Sequence, residues 1–294
     1  MAGKVLILGA SGGFGGACAA AFAAAGWQVN RYQRGTDMAV AARGMDVIVN
    51  GLNPPAYHDW AGLVPAITEQ VLAAAQASGA TVLVPGNVYP YGRAPGPWGP
   101  ETPQVPVSRK GAIRKAMEAR YRAATAAGEA RVILLRGGDF IGIDAPYTAM
   151  AKVVLKDAGK GKVVTLGDPS VQRAYAYLPD MARAAVGLAD MRADLPAFAD
   201  LPFAGFVFSS NDLATLVAGT TGKPARVTRF PWWLMAMLSP VWELARELRE
   251  MRYLFDTPHS LDPRPLARLL PGFAVTPLAD VVALQLRALG VRCV

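Results

Sequence analysis

The segment that most constrains what this chain can fold into is KVLILGASGGFGG, residues 4–16. The apolar run Lys4–Leu8 goes straight into glycines, and an alanine-rich stretch follows until Gly26. A short continuous apolar run suits a strand buried on both faces. Gly9, Gly12 and Gly15, spaced three apart, permit a tight turn from that strand into a helix over 15–25, which Gly26 ends. Further strand-type runs fall at 27–32, 46–49, 81–84 and 131–135, with helical stretches at 63–77 and 111–127 between the later ones. This alternation predicts an α/β protein of the Rossmann type, a doubly wound parallel sheet with helices on both faces.

A strand–glycine–helix turn is also a place to hold a pyrophosphate. Without side chains at Gly9, Gly12, Gly13 and Gly15, backbone N–H groups come close to an anion, and Ser11 and Phe14 lie in the same turn. The helix N-terminus adds partial positive charge. The end of the second strand distinguishes the two dinucleotides. A site for NAD usually carries an acid there for the ribose hydroxyls, about twenty residues past the glycines. This chain reads VNRYQRG, with no carboxylate before Asp37, and offers Arg31 and Arg34 to a 2′-phosphate. Either arginine could instead be merely solvated. The expected cofactor is NADP(H), with NAD the less favoured choice.

Other classes are excluded on composition. The 294 residues carry a formal charge of +8, but Lys and Arg are scattered, with no dense basic run and no interleaved aromatics. No nucleic-acid partner is expected. Two cysteines and two histidines make neither a disulfide framework nor a zinc site, so no metal is expected. The first apolar run is too short for a signal-peptide core, and the stretch 230–238 is too short for a span and is broken by Pro231 and Pro240. We therefore expect a cytoplasmic monomer or homodimer that acts on a small-molecule substrate and has no membrane partner. Residues 1–165, with a core also taking in about 175–190, are read as the dinucleotide-binding domain, and 166–294 as mainly a smaller substrate-binding region. In that region 162–165 and 175–178 are strand-type and 179–188 helical. Val241, Leu244, Leu248, Met251 and Phe255 trace one face of a helix, which packs on the sheet or walls an apolar substrate pocket. The Pro/Gly-rich stretch 89–106 is read as a long loop.

Four later segments add to the glycine motif: DVIVNGLNPP, VLVPGNVYPYG, LLRGGDFIG and QRAYAYLPDMARA. In this order they resemble the extended and atypical short-chain dehydrogenase/reductase superfamily, the NAD-dependent epimerase/dehydratase family. The resemblance implies cofactor contacts at Gly51, Leu52, Asn53, Gly86, Gly138, Asp139 and Phe140, and substrate contacts at Asn87, Tyr91 and Arg173. It also implies a Ser/Thr after the fifth strand and a Tyr-x-x-x-Lys pair on the next helix. The sequence departs from the family there. The Ser/Thr position falls on Asn87, and the helix carries KGAIR, with Lys110 and Arg114 at the Tyr and Lys positions. Arg114 retains donors for a ribose but cannot cycle protons. Lys110 would titrate if desolvated beside other cations, and Tyr89 or Tyr91 would serve as a substitute acid. Asn87 would orient a substrate oxygen.

Two functions remain open on this reading. One is an atypical oxidoreductase or epimerase-like enzyme for a small carbonyl or hydroxyl compound, partly hydrophobic. The other is an NADP(H)-binding redox sensor without turnover. His58 and His259 are read as satisfied loop residues, and Trp232 and Trp233 as core packing or pocket wall. If Arg34 meets a 2′-phosphate, Arg34→Ala weakens NADP binding by about 1.5–3 kcal/mol and leaves NAD nearly unchanged. Calorimetric titration checks this, and equal losses for both cofactors contradict the assignment.

Overall fold

Strands that are apolar on both faces need cover on both faces. The computed structural model, which describes residues 3–145 and 148–294, places a central sheet between two helical layers. In chain order the first half runs β1 (Lys4–Leu8), α1 (Gly13–Ala24), β2 (Gln28–Arg31), α2 (Met38–Ala41), β3 (Val47–Asn50), α3 (Trp60–Ser78), β4 (Thr81–Gly86), α4 (Arg109–Ala126), β5 (Val132–Arg136) and β6 (Asp139–Ile141). The second half runs β7 (Lys162–Thr165), β8 (Arg173–Tyr177), α5 (Leu178–Asp190), β9 (Phe198–Pro202), β10 (Phe206–Phe208), α6 (Ser210–Thr221) and β11 (Arg226–Arg229). Helices α7 (Trp232–Leu238), α8 (Glu243–Glu250), α9 (Arg264–Leu269) and α10 (Leu278–Ala288) complete the chain.

The main sheet has the order β2-β1-β3-β4-β5-β9, parallel throughout. Side chains alternate across a strand. Val5 and Ile7 of β1 accordingly face a core shared with Cys18 and Phe22 of α1 and Met181 of α5. Leu6 and Leu8 face the opposite core, with Val71 of α3 and Tyr121 of α4. Doubly wound dinucleotide folds usually have the order 3-2-1-4-5-6. Here the single-turn α2 is all that separates β2 from β3, and β3 docks directly beside β1, so β2 is the sheet edge. The strand order reverses between β1 and β3, and crevices at the C-terminal ends of such strands are where ligands bind.

A three-stranded sheet, β10-β8-β6, and the β11-β7 pair build the rest with α6 and α10 around a further core, in which Tyr175 stacks on Phe208 at 4.0 Å. Two sequence expectations need correcting. The expected helix over 241–255 is α8 followed by a 3-10 turn, Met251–Asp256, and Val241 is 87% exposed instead of packed. Trp233 is not core either, at 66% exposure, whereas Trp232 is half-buried and donates to the Leu166 carbonyl at 2.7 Å.

One buried charge network ties the sheet to the loops above it. Arg136, at the end of β5, is fully buried and donates to Glu118 of α4 at 2.8 and 2.9 Å and to Asp200 of β9 at 2.9 Å. It also donates to the Asn87 carbonyl at 2.6 Å. Burial pulls the guanidinium pKa down, but Glu118 and then Asp200 push it up further, so the net shift is upward. Removing one partner of such a network strands the others without water. Arg136→Leu is expected to cost about 3–5 kcal/mol of folding stability in denaturant unfolding, and a loss below about 1 kcal/mol would contradict the role given to the network.

Candidate functional site

The glycine turn is held by backbone touching backbone. A Cβ on Gly15 would sit 2.3 Å from the Gly9 carbonyl oxygen, and one on Gly51 would sit 2.8 Å from that of Leu8. Gly9 has φ +73°, and a Cβ there would meet the Gly51 carbonyl at 2.8 Å. These three glycines let α1 start directly over the ends of β1 and β3. Gly12 differs, because it is exposed and the nearest atom to a Cβ on it is the Gly9 oxygen at 3.3 Å. The Gly12 N–H donates to that oxygen at 2.9 Å, and Gly16 N–H to the Gly12 carbonyl opens the helix. The amides of the first turn of α1 have no intrahelical acceptors, and no acidic residue lies in that turn. Orphan donors, a helix N-terminus and an exposed glycine fit a pyrophosphate.

Phe14 is buried and stacks with Phe140 at 6.5 Å, while Ser11 is exposed beside them. Leu52 N–H donates to the Asn50 side chain at 3.2 Å. Gly86 and Gly138 have a packing explanation, since Cβ atoms there would meet Arg136 Cα at 3.3 Å and the Ala174 carbonyl at 2.1 Å. At the end of β2, Arg31 and Arg34 are both exposed, and neither pairs with a carboxylate among the described residues. Asp37, the first acid beyond them, caps α2 by accepting from Val40 N–H at 3.0 Å.

Further along the same sheet edge, the segment from β3 to α3 and the turn after β4 converge on α4. The hydroxyls of Tyr57 and Tyr89 are 3.1 Å apart. Trp60 lies under both rings, with centroids 5.1 Å from Tyr57 and 6.4 Å from Tyr89. Arg114 lies 4.8 Å over the Trp60 ring and donates to the Asn53 side-chain oxygen at 2.8 Å. Its Nε is buried and has no hydrogen-bond acceptor. Burial pushes the Tyr57 phenol up, and it pushes Tyr89 well above the usual range with help from Tyr57 and Asp139; Arg114 opposes both shifts. Both phenols therefore hold their protons at neutral pH and are donors. The segment that brings Tyr57 in is strained: Ala56, Tyr57 and Asp59 have φ of 53°, 61° and 40°. Such conformations in residues other than glycine persist where the surroundings enforce them, and they cluster at functional sites.

Lys110 is held by carboxylates that the sequence reading did not foresee. It is 1% exposed, pairs with Glu250 at 2.8 Å and with Glu247, and lies 5.1 Å over the Tyr57 ring. Glu250 also accepts from the Arg109 and Lys110 N–H groups, so a carboxylate from α8 caps the start of α4. Tyr91 is a clear correction. It is 1% exposed, donates to the Gly99 carbonyl at 3.1 Å and stacks on Trp98, which makes it core. Asn87 spends its side-chain oxygen on the Tyr89 N–H at 3.1 Å, which shapes the turn and leaves its amide nitrogen without a partner among the described residues.

Arg173 and Asp139 are committed to each other at 2.8 Å, with Arg173 also on the Tyr175 hydroxyl at 2.5 Å. His259 is buried with Nδ1 on the Thr257 carbonyl at 2.8 Å, and His58 pairs with Glu243 of α8 at 2.9 Å. Sequence reasoning missed Tyr57, Trp60, Glu247 and Glu250. The first two were findable, because every strand-to-helix loop of a parallel sheet lands on the edge where ligands bind. The glutamates lie some 140 residues from their partners and gave no local signal.

No family model and no curated protein matches the sequence. Solved structures match in fold. The chain is similar to MoeE5 in complex with UDP-glucose and NAD (20% identity, TM-score 0.76, 97% of this chain and 98% of that one). It is similar to RMD from Pseudomonas aeruginosa complexed with NADPH (16%, 0.75, 99% and 100%). It is also similar to UDP-glucuronic acid 4-epimerase from Bacillus cereus in complex with NAD (15%, 0.77, 97% and 96%). Over nearly its whole length, the chain has the Rossmann-type fold of these nicotinamide-dinucleotide-bound proteins.

Proposed function

We propose that the protein is an atypical NADP(H)-dependent oxidoreductase or epimerase-like enzyme of the extended short-chain dehydrogenase/reductase type. Its substrate is a small, partly hydrophobic carbonyl or hydroxyl compound. The fold supports the cofactor class, since proteins of this fold carry NAD or NADPH. The preference for NADP(H) rests on Arg31 and Arg34 with no free acid beside them. The turn at Gly9, Gly12 and Gly15 holds the pyrophosphate, and Asn53 and Arg114 lie towards the reactive end. The bound dinucleotide supplies a hydride donor or acceptor.

The chain's own part in the chemistry is proton movement, and the carrying observation is the Tyr57–Tyr89 pair beside Arg114. A phenol with a raised pKa gives its proton to a developing alkoxide and then needs positive charge nearby. Tyr89 donates, Tyr57 hydrogen-bonds the resulting phenolate, and Arg114 stabilises the charge. The unused amide of Asn87 orients the substrate oxygen. These residues stand in for the Tyr-x-x-x-Lys pair that the helix does not carry.

A second reading has an observation of its own. Lys110, at the position of the usual tyrosine, is locked to Glu247 and Glu250. A protein that binds NADP(H) as a sensor would tolerate such a lock. Turnover separates the two readings. In the enzyme, Tyr89→Phe lowers kcat by about 10²–10⁴-fold while NADPH affinity is kept. Tight NADPH binding by the wild type with no turnover across a carbonyl panel favours the sensor, and unchanged kcat in Tyr89→Phe removes Tyr89 from the mechanism.

A further inference from the structure

The sequence argues against a membrane-spanning helix, and no helix among the described residues is long and apolar enough to cross a bilayer. One surface nevertheless carries large apolar side chains into solvent. Trp233, Met237 and Val241 are 66%, 69% and 87% exposed; Trp233 and Met237, four apart on α7, share one helix face, and Val241 follows in the turn after it. Trp242 extends the ridge at 43% exposure. Single exposed apolar residues are ordinary, but a contiguous ridge with two tryptophans marks an interaction site.

The charges next to the ridge are sorted. On α8 Glu247 and Glu250 turn inward to Arg109 and Lys110, and Glu243, still partly exposed, is paired with His58. The arginines turn outward. Arg246 is exposed, with only a long 3.7 Å contact to Glu247. Arg249 donates to Ser239 in the α7–α8 turn at 2.7 Å, and Arg252 lies 5.5 Å over Trp232. Arg249 and Arg252, with Arg93, also line an open cavity of about 340 Å³ together with Glu250, Tyr253 and Asp256. Of its two acids, Glu250 is taken by α4, and Asp256 accepts from the Asp168 N–H at 2.8 Å.

We infer that the α7–α8 face docks on an anionic lipid surface, with the ridge seated among the headgroups and Arg93, Arg246, Arg249 and Arg252 on lipid phosphates. Charge complementarity selects this occupant, because an apolar tryptophan-bearing ridge with an arginine collar is the pattern of interfacial binding. The seven-residue α7 lies in the surface and does not enter it end-on. Four side chains bury on the order of a few hundred Å², short of the roughly 800 Å² per partner of a stable protein interface, which argues against a second copy. This inference is independent of the proposed chemistry.

The test is co-sedimentation of the full chain with vesicles of phosphatidylglycerol and phosphatidylcholine, and with vesicles of phosphatidylcholine alone. Binding is expected to the anionic vesicles only, weakening as salt is raised. The triple variant Arg246→Gln, Arg249→Gln and Arg252→Gln loses on the order of a hundredfold in affinity, and Trp233→Ser with Met237→Ser and Val241→Ser abolishes binding. On the unaltered protein, tryptophan emission shifts to the blue with anionic vesicles and is quenched by brominated lipid. Absence of binding by the wild type overturns the inference, as does equal binding by the variants. So does a wild-type dimer that the ridge variant splits without any vesicle binding, which would make the face a contact between copies.

Discussion

Where the ends of β1 and β3 meet the start of α1, three backbone segments approach so closely that only glycine fits at residues 9, 15 and 51. That contact fixes the helix N-terminus over the crevice where the strand order reverses. It leaves Gly12 exposed at the start of α1. The rest of the candidate site is arranged relative to this point. The second strand delivers Arg31 and Arg34 to one side, and the segments after β3 and β4 deliver Asn53, Tyr57, Tyr89 and Arg114 to the other. Arg136 and its two buried carboxylates keep β5, β9, α4 and the turn at Asn87 in register beneath them.

The reactive end shows how the loss of a familiar pair changes a neighbourhood. With lysine and arginine at the two helix positions, the local charge is more positive than a tyrosine would make it. The structure answers with acids from α8, which cap α4 and bind Lys110, and with phenols from two loops that take the space above Arg114. The same sorting of charge that sends Glu247 and Glu250 of α8 inward leaves Arg246 and Arg249 outside. Site and surface therefore share one cause, the alternation of sign along ELARELREMR.

Much of the frame was legible in the sequence. The strands at 4–8, 81–84 and 131–135 and the helices at 15–25, 63–77 and 111–127 follow from apolar runs and glycine punctuation, which are local signals. The last strand of the main sheet, β9 (FADLP), was not legible, because its short run carries an aspartate explained by partners 64 and 78 residues away, Arg136 and Arg122. Tyr91 was misread for a related reason. Its motif position suggested a pocket, but burial against Trp98, itself stacked on His259, is a tertiary property. The helix at 241–255 failed because a helical period in apolar residues does not say whether the face is covered. Val241 keeps the pattern and remains in solvent.

The central claim, a dinucleotide held at the glycine turn, is tested most directly by calorimetric titration of the protein and of Gly12→Val with NADPH and NADH. Gly12 is exposed with φ −88°, and a Cβ there would meet the Gly9 carbonyl oxygen at 3.3 Å, so circular dichroism first establishes that the variant is folded. The account predicts that the protein binds NADPH in preference to NADH and that the folded variant binds neither. Binding of neither cofactor by the parent protein, or undiminished binding by the variant, would contradict it.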